Sequence, residues 1–275
     1  MIYDDTQCLL GEGPLWHPER QQFFWFDVLG CRLHTKGQQW QFDEIVSAAG
    51  WVDADTLLIA SETQLFTFNL ATGTQEKKHA LEADNPGTRS NDGRADPQGG
   101  FWIGTMGKDA EADAGAIYRA YKGELRMLFP NITIPNAICF APDGKTAYFT
   151  DSQVNRLMAT DLDTQGWPTG TPRIIVDASG ADFAIDGAVV AADGTIWNAQ
   201  WGAARIVQYS PDGSLLSTIP VTAKQSSCPA FGGVDLSTLY CTSAAVGLNP
   251  PGADDGKTFA IPTKTKGQAE HRVIL

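Results

Sequence analysis

Acidic and amide side chains stand at the heads of apolar runs in three separate parts of the chain. Glu12 precedes the run in GEGPLW, Asn136 does so in PNAICF, and Asp186 in IDGAVV. Carboxylate and amide oxygens are the ligands that hard divalent cations prefer, so these segments would form a cation site if the fold brought them together. Asp and Asn before a small residue are also common turn formers, and each segment taken alone is consistent with a plain turn.

A unit that recurs six times along the chain contains these residues. Each copy has an entry rich in Gly, Pro, Asn or Asp, a short apolar strand, a polar turn, and a second strand centred on an aromatic residue or Leu. The copies are 12–27, 48–61, 90–105, 135–151, 185–200 and 228–243. The centres of the second strands lie 34 to 49 residues apart, and hairpins repeated at such intervals are typical of β-propeller blades.

A third strand signal follows each hairpin, and room remains for a fourth strand before the next copy. We therefore predict an all-β protein, a six-bladed β-propeller with four-stranded antiparallel blades that forms one domain over residues 1–275. A large β-sandwich is the alternative, but it would not require such regular self-similarity. Closing the ring would protect the strand edges, and either Ile2–Cys8 or residues 271–275 would supply the closing strand.

The first strand of each predicted blade would line the central channel, so that six strand beginnings converge at one mouth of that channel. The residues at this position are Glu12, Ala49, Asn91 with Asp92, Asn136, Asp186, and Pro229 with Ala230. Four of the six copies place a carboxylate or an amide there. Asp193, in contrast, lies between two strands in AADGTI, where a tight hairpin turn needs it.

Charge and composition exclude several classes of partner. The net charge is −12 and no basic cluster occurs, which argues against nucleic acid or an anionic membrane. No apolar run approaches the roughly 18 residues of a membrane span, and the acidic start MIYDDTQ is unlike a signal peptide, so we expect a cytoplasmic protein. Five cysteines without a C-x-x-C motif indicate neither disulfides nor a zinc–thiolate site, and the four histidines show no metal-ligand spacing.

Four ordered segments carry a resemblance to a known family. LGEGPLWHPERQQFFWFD, TRSNDGRADPQGGFWIGTM, IPNAICFAPDGKTAYFTDS and FAIDGAVVAADGTIWNAQWG resemble the senescence-marker-protein/gluconolactonase/regucalcin family of six-bladed propellers. The likeness extends over nearly the whole chain. One departure is Ala137, where many members have Gly.

The resemblance implies a site and an activity. By match to the family motifs, Glu12, Asn136 and Asp186 would bind one divalent cation, which we expect to be Ca²⁺, with Zn²⁺, Mn²⁺, Mg²⁺ and Fe²⁺ left open. Arg89 and Asn91 would contact a small sugar lactone, and Glu111 is the nearest counterpart of a further substrate contact. The family activity is the hydrolysis of an aldonolactone to its acid.

Opening a lactone requires a polarised carbonyl, an attacking water and a base. A divalent cation supplies the first of these, and Asp186 is our preferred general base, with Asp92 as the second candidate. Arg89 and Asn91 would anchor sugar hydroxyls or the developing oxyanion. The chain contains no G-x-S-x-G elbow, in keeping with a reaction that needs no covalent nucleophile.

Two other functions stay open at this point. One is a calcium-dependent esterase or phosphotriesterase on a similar propeller, and the other is a non-catalytic calcium-binding regulatory propeller. We expect a monomer or a weak homodimer. Trp201 follows the second strand of blade five and could face a sugar. His17, beside Pro18, is expected in a surface turn.

Overall fold

The computed structural model describes residues 1–275 and consists of β-strands joined by turns. Its 24 strands form six four-stranded sheets in which every pairing is antiparallel. The sheets are the blades of a six-bladed β-propeller, which confirms the predicted fold class. No helix in the structure has the length and apolar character that crossing a bilayer requires.

Blades one to three are continuous in sequence. Blade one contains β2 (Gly11–His17), β3 (Gln22–Asp27), β4 (Arg32–Thr35) and β5 (Gln38–Gln41). Blade two contains β6 (Val46–Asp53), β7 (Thr56–Ser61), β8 (Gln64–Asn69) and β9 (Gln75–Ala80). Blade three contains β10 (Thr88–Ala95), β11 (Phe101–Gly107), β12 (Gly115–Tyr121) and β13 (Glu124–Ile132).

Blades four and five follow the same order, and blade six combines both ends of the chain. Blade four contains β14 (Pro135–Phe140), β15 (Thr146–Asp151), β16 (Arg156–Leu162) and β17 (Pro168–Asp177). Blade five contains β18 (Ala184–Val190), β19 (Ile196–Trp201), β20 (Arg205–Tyr209) and β21 (Leu215–Pro220). Blade six contains β22 (Gln225–Gly232), β23 (Thr238–Ala244), β24 (Thr258–Pro262) and β1 (Ile2–Asp4).

The amino-terminal segment closes the ring. Ile2 lies opposite Phe259 and Asp4 opposite Thr258, so that β1 is the outermost strand of blade six. The backbone N–H of Ala260 donates to the Met1 carbonyl at 2.9 Å. Of the two closing segments that the sequence left open, the structure therefore uses the first.

The apolar core lies between adjacent blades. Ala137, Cys139 and Tyr148 of blade four pack in one cluster with Ile185 and Val190 of blade five. Outer strands such as β21 are largely exposed, whereas the innermost strands are almost wholly buried. Burial of both faces explains why β2, β14 and β18 read as apolar runs that are interrupted only near their beginnings.

The last residues of the chain cover the channel end opposite the predicted mouth. The side-chain amide of Gln268 donates to the carbonyls of Phe140 and Val190, at the ends of β14 and β18, at 3.0 and 2.9 Å. Glu270 forms a buried ion pair with Arg94 of β10. These contacts leave the beginnings of the innermost strands as the accessible end of the channel.

The surface position expected for His17 is wrong. His17 is the last residue of β2 and is fully buried. Its Nε2 hydrogen bonds to the carbonyl of Asp53 at 3.0 Å, and the backbone N–H of Arg20 donates to its Nδ1 at 3.3 Å. The end of β6, in the neighbouring blade, therefore covers a residue whose local sequence indicates only a turn.

Candidate active site at the channel mouth

The innermost strands that carry the predicted site residues all have irregular pairing at those residues. The register breaks fall at residues 12–15 in β2, 90–93 in β10, 136–139 in β14 and 185–188 in β18. A β-bulge releases a side chain from the strict in-and-out alternation of a strand and changes its direction. The bulges account for the polar side chains that these buried strands place at the mouth.

Small residues follow the site residues because the backbone there leaves little space. Gly13 and Ala137 have φ values of +54° and +57°, in the left-handed region. A Cβ at Gly13 would lie 2.2 Å from the Ser47 carbonyl oxygen, and one at Gly187 would lie 2.3 Å from the Cys228 sulfur. Ala137 adopts its conformation at a cost of about 1 kcal/mol, where a glycine would have none.

A cavity of about 340 Å³ opens at the mouth and collects most of the predicted residues. Its polar lining is formed by Glu12, Arg89, Asn91, Lys108, Asn136, Ser152 and Asp186. Its apolar lining is formed by Leu10, Leu29, Met106, Ile134, Ala184, Trp201 and Val246. The residues come from all blades except blade two, so the cavity exists only once the ring has formed.

Two buried carboxylates line this cavity. Glu12 is 6% exposed and Asp186 is 5% exposed. Burial and the charge of Asp92 raise the pKa of Glu12, although the N–H of Gly13 donates to its Oε2 at 3.0 Å. Burial and the charges of Glu12 and Asp92 raise the pKa of Asp186 well above its ordinary value. The site thus holds more negative charge than its own donors compensate.

Asp92, the second candidate base, is buried behind the cavity wall. It is 4% exposed and does not line the cavity. The backbone N–H of Ile138 donates to its Oδ2 at 2.8 Å. Burial raises the pKa of Asp92 to about 6, and the neighbouring Arg94 opposes this shift. This position allows Asp92 to influence the charge of the site but gives it no direct access to a substrate in the cavity.

A chain of hydrogen bonds connects Arg89, Asn91 and Asn136. Arg89 Nη1 donates to Asn91 Oδ1 at 2.9 Å, and Asn91 Nδ2 donates to Asn136 Oδ1 at 3.1 Å. Burial lowers the pKa of Arg89 to about 10, and the carboxylate of Glu12 opposes this shift, so the guanidinium stays charged at neutral pH. The three side chains are thereby fixed in position on the cavity wall.

Ser152 and Lys108 also line the cavity, although no sequence motif predicted this. Asn136 Nδ2 donates to Ser152 Oγ at 2.9 Å, and Ser152 Oγ donates to the Ile185 carbonyl at 2.6 Å, which links blade four to blade five. Lys108 forms an ion pair with Glu62 at 3.2 Å. Both residues lie directly after the second strand of a blade. The repeat pattern in the sequence does not indicate that this loop position reaches the channel mouth.

Of two further residues considered as substrate contacts, Trp201 and Glu111, only Trp201 lines the cavity. Trp201 lies on the cavity wall, as expected of a residue that could face a sugar. The structure does not bring Glu111 to the cavity. Glu111 is exposed in the loop before β12, and its Oε2 accepts the backbone N–H of Asp109 at 3.1 Å. The loop turns this carboxylate back onto its own backbone rather than toward the channel.

The donor set of Glu12, Asn136 and Asp186 fits a hard divalent cation. All three side chains offer oxygen atoms, all are at least 94% buried, and two of them are carboxylates whose pKa values are raised by burial and by neighbouring carboxylates. A cation among them would remove the charge imbalance that raises those pKa values. An all-oxygen set matches Ca²⁺ better than a metal that prefers sulfur or imidazole.

Relatives of known name resemble this chain over nearly its full length. A Rhizobium meliloti protein named as a candidate sugar lactone lactonase is 43% identical over 272 residues, covering 95% of this chain and 92% of the relative. An L-arabinolactonase of Azospirillum brasilense is 35% identical over 284 residues, covering 98% and 93%. The crystal structure of a calcium-binding protein, regucalcin, from Agrobacterium tumefaciens superposes with a TM-score of 0.95 at 41% identity, covering 100% and 97%.

The family model agrees with these relatives. The model described as the SMP-30/gluconolactonase/LRE-like region matches residues 10–245, which includes every residue predicted for the site. The resemblance inferred from the four sequence segments is confirmed. This chain belongs to the SMP-30/gluconolactonase/LRE-like family.

Proposed function

We propose that this protein is a metal-dependent hydrolase that opens a sugar lactone to the corresponding aldonic acid. The observation that carries the proposal is the convergence of two buried carboxylates, two amides and a guanidinium on one cavity. Relatives that are 35% and 30% identical are named as an L-arabinolactonase and a 6-deoxy-6-sulfogluconolactonase, which supports a sugar lactone as the substrate class.

Glu12, Asn136 and Asp186 would hold the divalent cation, which we expect to be Ca²⁺. When bound, such a cation supplies Lewis acidity for the lactone carbonyl and neutralises the charge that develops on its oxygen. The chain itself fixes the orientation of one of these ligands. Ser152 and Asn91 hold the Asn136 amide from both ends, so its oxygen keeps one direction.

Asp186 would act as the general base. A water molecule attacks the acyl carbon of the lactone while the Asp186 carboxylate accepts the proton of that water. The ring C–O bond then breaks, and the departing ring oxygen takes up a proton to become the hydroxyl of the aldonic acid. Asp186 lines the cavity directly whereas Asp92 does not, so the geometry favours Asp186 over the second candidate.

Arg89 and Asn91 would bind the sugar hydroxyls. Arg89 uses Nη1 for Ser90 and Asn91, and its other N–H groups make no hydrogen bond within the chain. A fixed guanidinium with free donors is suited to a hydroxyl-rich ligand. Trp201 and Met106 offer apolar surface on other parts of the wall, against which the C–H face of a sugar could pack.

The apolar half of the lining is the observation that favours the second candidate, an esterase or phosphotriesterase. Seven of the fourteen lining residues are hydrophobic, which would also suit a less polar ester. The buried, charged Arg89 argues for the lactone, since a site without hydroxyls to bind would leave its donors unpaired.

The proposal is tested with a substrate panel. Proton release is followed from pentonolactones, hexonolactones, simple aliphatic lactones and a phosphotriester, after EDTA treatment and re-addition of single metals. We expect turnover of at least one sugar lactone that EDTA abolishes and a divalent cation restores. Preference for the aliphatic or phosphotriester substrates would favour the second candidate, and no turnover with any metal would favour a non-catalytic cation-binding role.

A further inference from the structure

A second group of candidate metal ligands lies between the amino-terminal segment and blade one. The Sγ of Cys8, a carboxylate oxygen of Asp27 and a ring nitrogen of His34 all lie within 4.8 Å of one another. The three residues are exposed by only 1%, 4% and 4%. None of them lines the cavity at the channel mouth, so this group is separate from the candidate active site.

Polar atoms in this group lack partners within the chain. The Nε2 of His34 is buried and makes no hydrogen bond. Leaving a buried polar atom unpaired costs about 1–3 kcal/mol, so such an atom points to a missing ligand. Asp27 Oδ1 accepts the N–H groups of Leu10 and Gly30 at 3.0 and 3.2 Å, which fixes the carboxylate and leaves Oδ2 without a hydrogen bond from the chain.

Trp25 packs against two members of this group. Cys8 and Trp25 belong to the same buried cluster. The indole of Trp25 also stacks on the His34 ring, with the ring centroids 5.5 Å apart. Trp25 thus holds two of the three candidate ligands in place, as residues around a metal site commonly do.

We propose that Cys8, Asp27 and His34 bind a second divalent cation, of the class of Zn²⁺. A thiolate and an imidazole select zinc over the calcium that suits the oxygen-only set at the channel mouth. Zn–S and Zn–N bonds of about 2.3 and 2.0 Å place tetrahedral ligand atoms roughly 3.5 Å apart, so small side-chain shifts would close this group around the metal. Binding expels the thiol proton of Cys8 to solvent, and a water molecule fills the fourth position.

The site would connect the amino-terminal segment to two adjacent strands of blade one. Cys8 follows β1, which closes blade six, whereas Asp27 ends β3 and His34 lies in β4 of blade one. A metal held by all three would fix the closing strand to the next blade. Ligands at positions 8, 27 and 34 match no short spacing motif, which is why the sequence indicated neither a thiolate nor a histidine site.

Cobalt substitution tests this proposal without reference to lactone turnover. Metal-free protein is titrated with Co²⁺, and the thiolate-to-cobalt charge-transfer band in the near ultraviolet is recorded. We expect one equivalent to produce the band in the wild type and in Asp186→Asn, with Zn²⁺ displacing it and raising the Tm of both. Cys8→Ser should lose the band, and His34→Gln should weaken cobalt binding by roughly 100-fold or more.

Cys31→Ser is the matched control, since Cys31 is close in sequence to Asp27 but does not belong to the group. It should retain the band. Absence of the band in the wild type, its retention in Cys8→Ser, or its loss in Cys31→Ser would overturn the proposal. If Cys8→Ser fails to fold, His34→Gln decides, and unchanged cobalt affinity in that variant would be contrary to the proposal.

Discussion

At the scale of single residues, the candidate active site is an arrangement of buried charges. Burial raises the pKa values of Glu12, Asp92 and Asp186, the charge of Asp92 raises those of Glu12 and Asp186 further, and each residue is at least 94% buried. Arg89 also lies on the cavity wall, and its positive charge opposes the upward pKa shift of Glu12. Burying these side chains in their charged form costs free energy. This cost is the physical reason to expect both a cation and a polar substrate at the channel mouth.

Replacing Arg89 by Ala should weaken substrate binding more than it slows the chemical step. The loss of a hydrogen bond from a charged donor is worth about 1.5–3 kcal/mol, so we expect KM to rise roughly 10- to 100-fold with a smaller change in kcat. Steady-state kinetics on the preferred lactone measures both, and Arg89→Lys should recover part of the affinity. A selective loss of kcat would instead show that Arg89 acts in the transition state.

His17 should make folding stability depend on pH. Burial lowers the pKa of His17 below its ordinary 6.5, so the unfolded chain binds its proton at a higher pH than the folded chain does. Its contribution is therefore complete above about pH 6.5 and is lost as the pH falls toward the lowered folded-state pKa. In urea unfolding between pH 7 and 5, His17→Gln should lose less stability than the wild type. An identical loss in both would show that His17 does not contribute.

At the scale of elements, the bulged first strands determine where the site residues point. The repeat pattern predicted that Glu12, Asn136 and Asp186 stand near the beginnings of equivalent strands, and all three line the same cavity. It could not locate Ser152 or Lys108, because a loop position after a strand has no fixed relation to the channel until the blades pack. The turn signal beside Pro18 misplaced His17, which is buried and hydrogen bonds to the Asp53 carbonyl in the next blade.

Gly13→Ala tests the role of the bulge in β2. The new Cβ would meet the Ser47 carbonyl at 2.2 Å, a backbone atom that cannot move without shifting β6. We expect the free energy of unfolding to fall by about 2–4 kcal/mol, from the clash together with the strain of a positive φ. Gly37→Ala is the control, since Gly37 has a φ of +80° but no atom within 4 Å of the added Cβ. Equal losses in the two variants would show that the close approach is unimportant.

At the scale of the whole molecule, the two ends of the chain have different structural roles. The first residues close the ring as β1, while residues 267–275 cover the far end of the channel. Arg94 connects this cover to the blades, because it pairs with Glu270 and its Nη2 reaches the carbonyls of Ala188 and Pro229 at 3.5 Å. The repeats predicted the ring, but they could not predict how these non-repeating ends pack.

Glu270→Ala should destabilise the protein strongly because it leaves the Arg94 guanidinium buried and unpaired. The two side chains are 7% and 9% exposed, and breaking a buried pair costs about 3–5 kcal/mol. Asp161→Ala removes one partner of the exposed pair with Arg173 and should cost at most about 1 kcal/mol. Chemical denaturation measures both, and a loss for Glu270→Ala as small as that of the control would contradict this role of the tail.

The proposed reaction depends on a divalent cation held with Asp186 at the channel mouth, which would promote the opening of a sugar lactone. Its most direct test is the rate of proton release from the preferred sugar lactone by metal-free protein, with and without added cation, for the wild type and Asp186→Asn. We predict that the cation restores turnover only in the wild type. Asp186→Asn should stay folded and lose roughly 10²- to 10⁴-fold in kcat. Unchanged turnover and metal content in Asp186→Asn would rule out Asp186 as base and ligand.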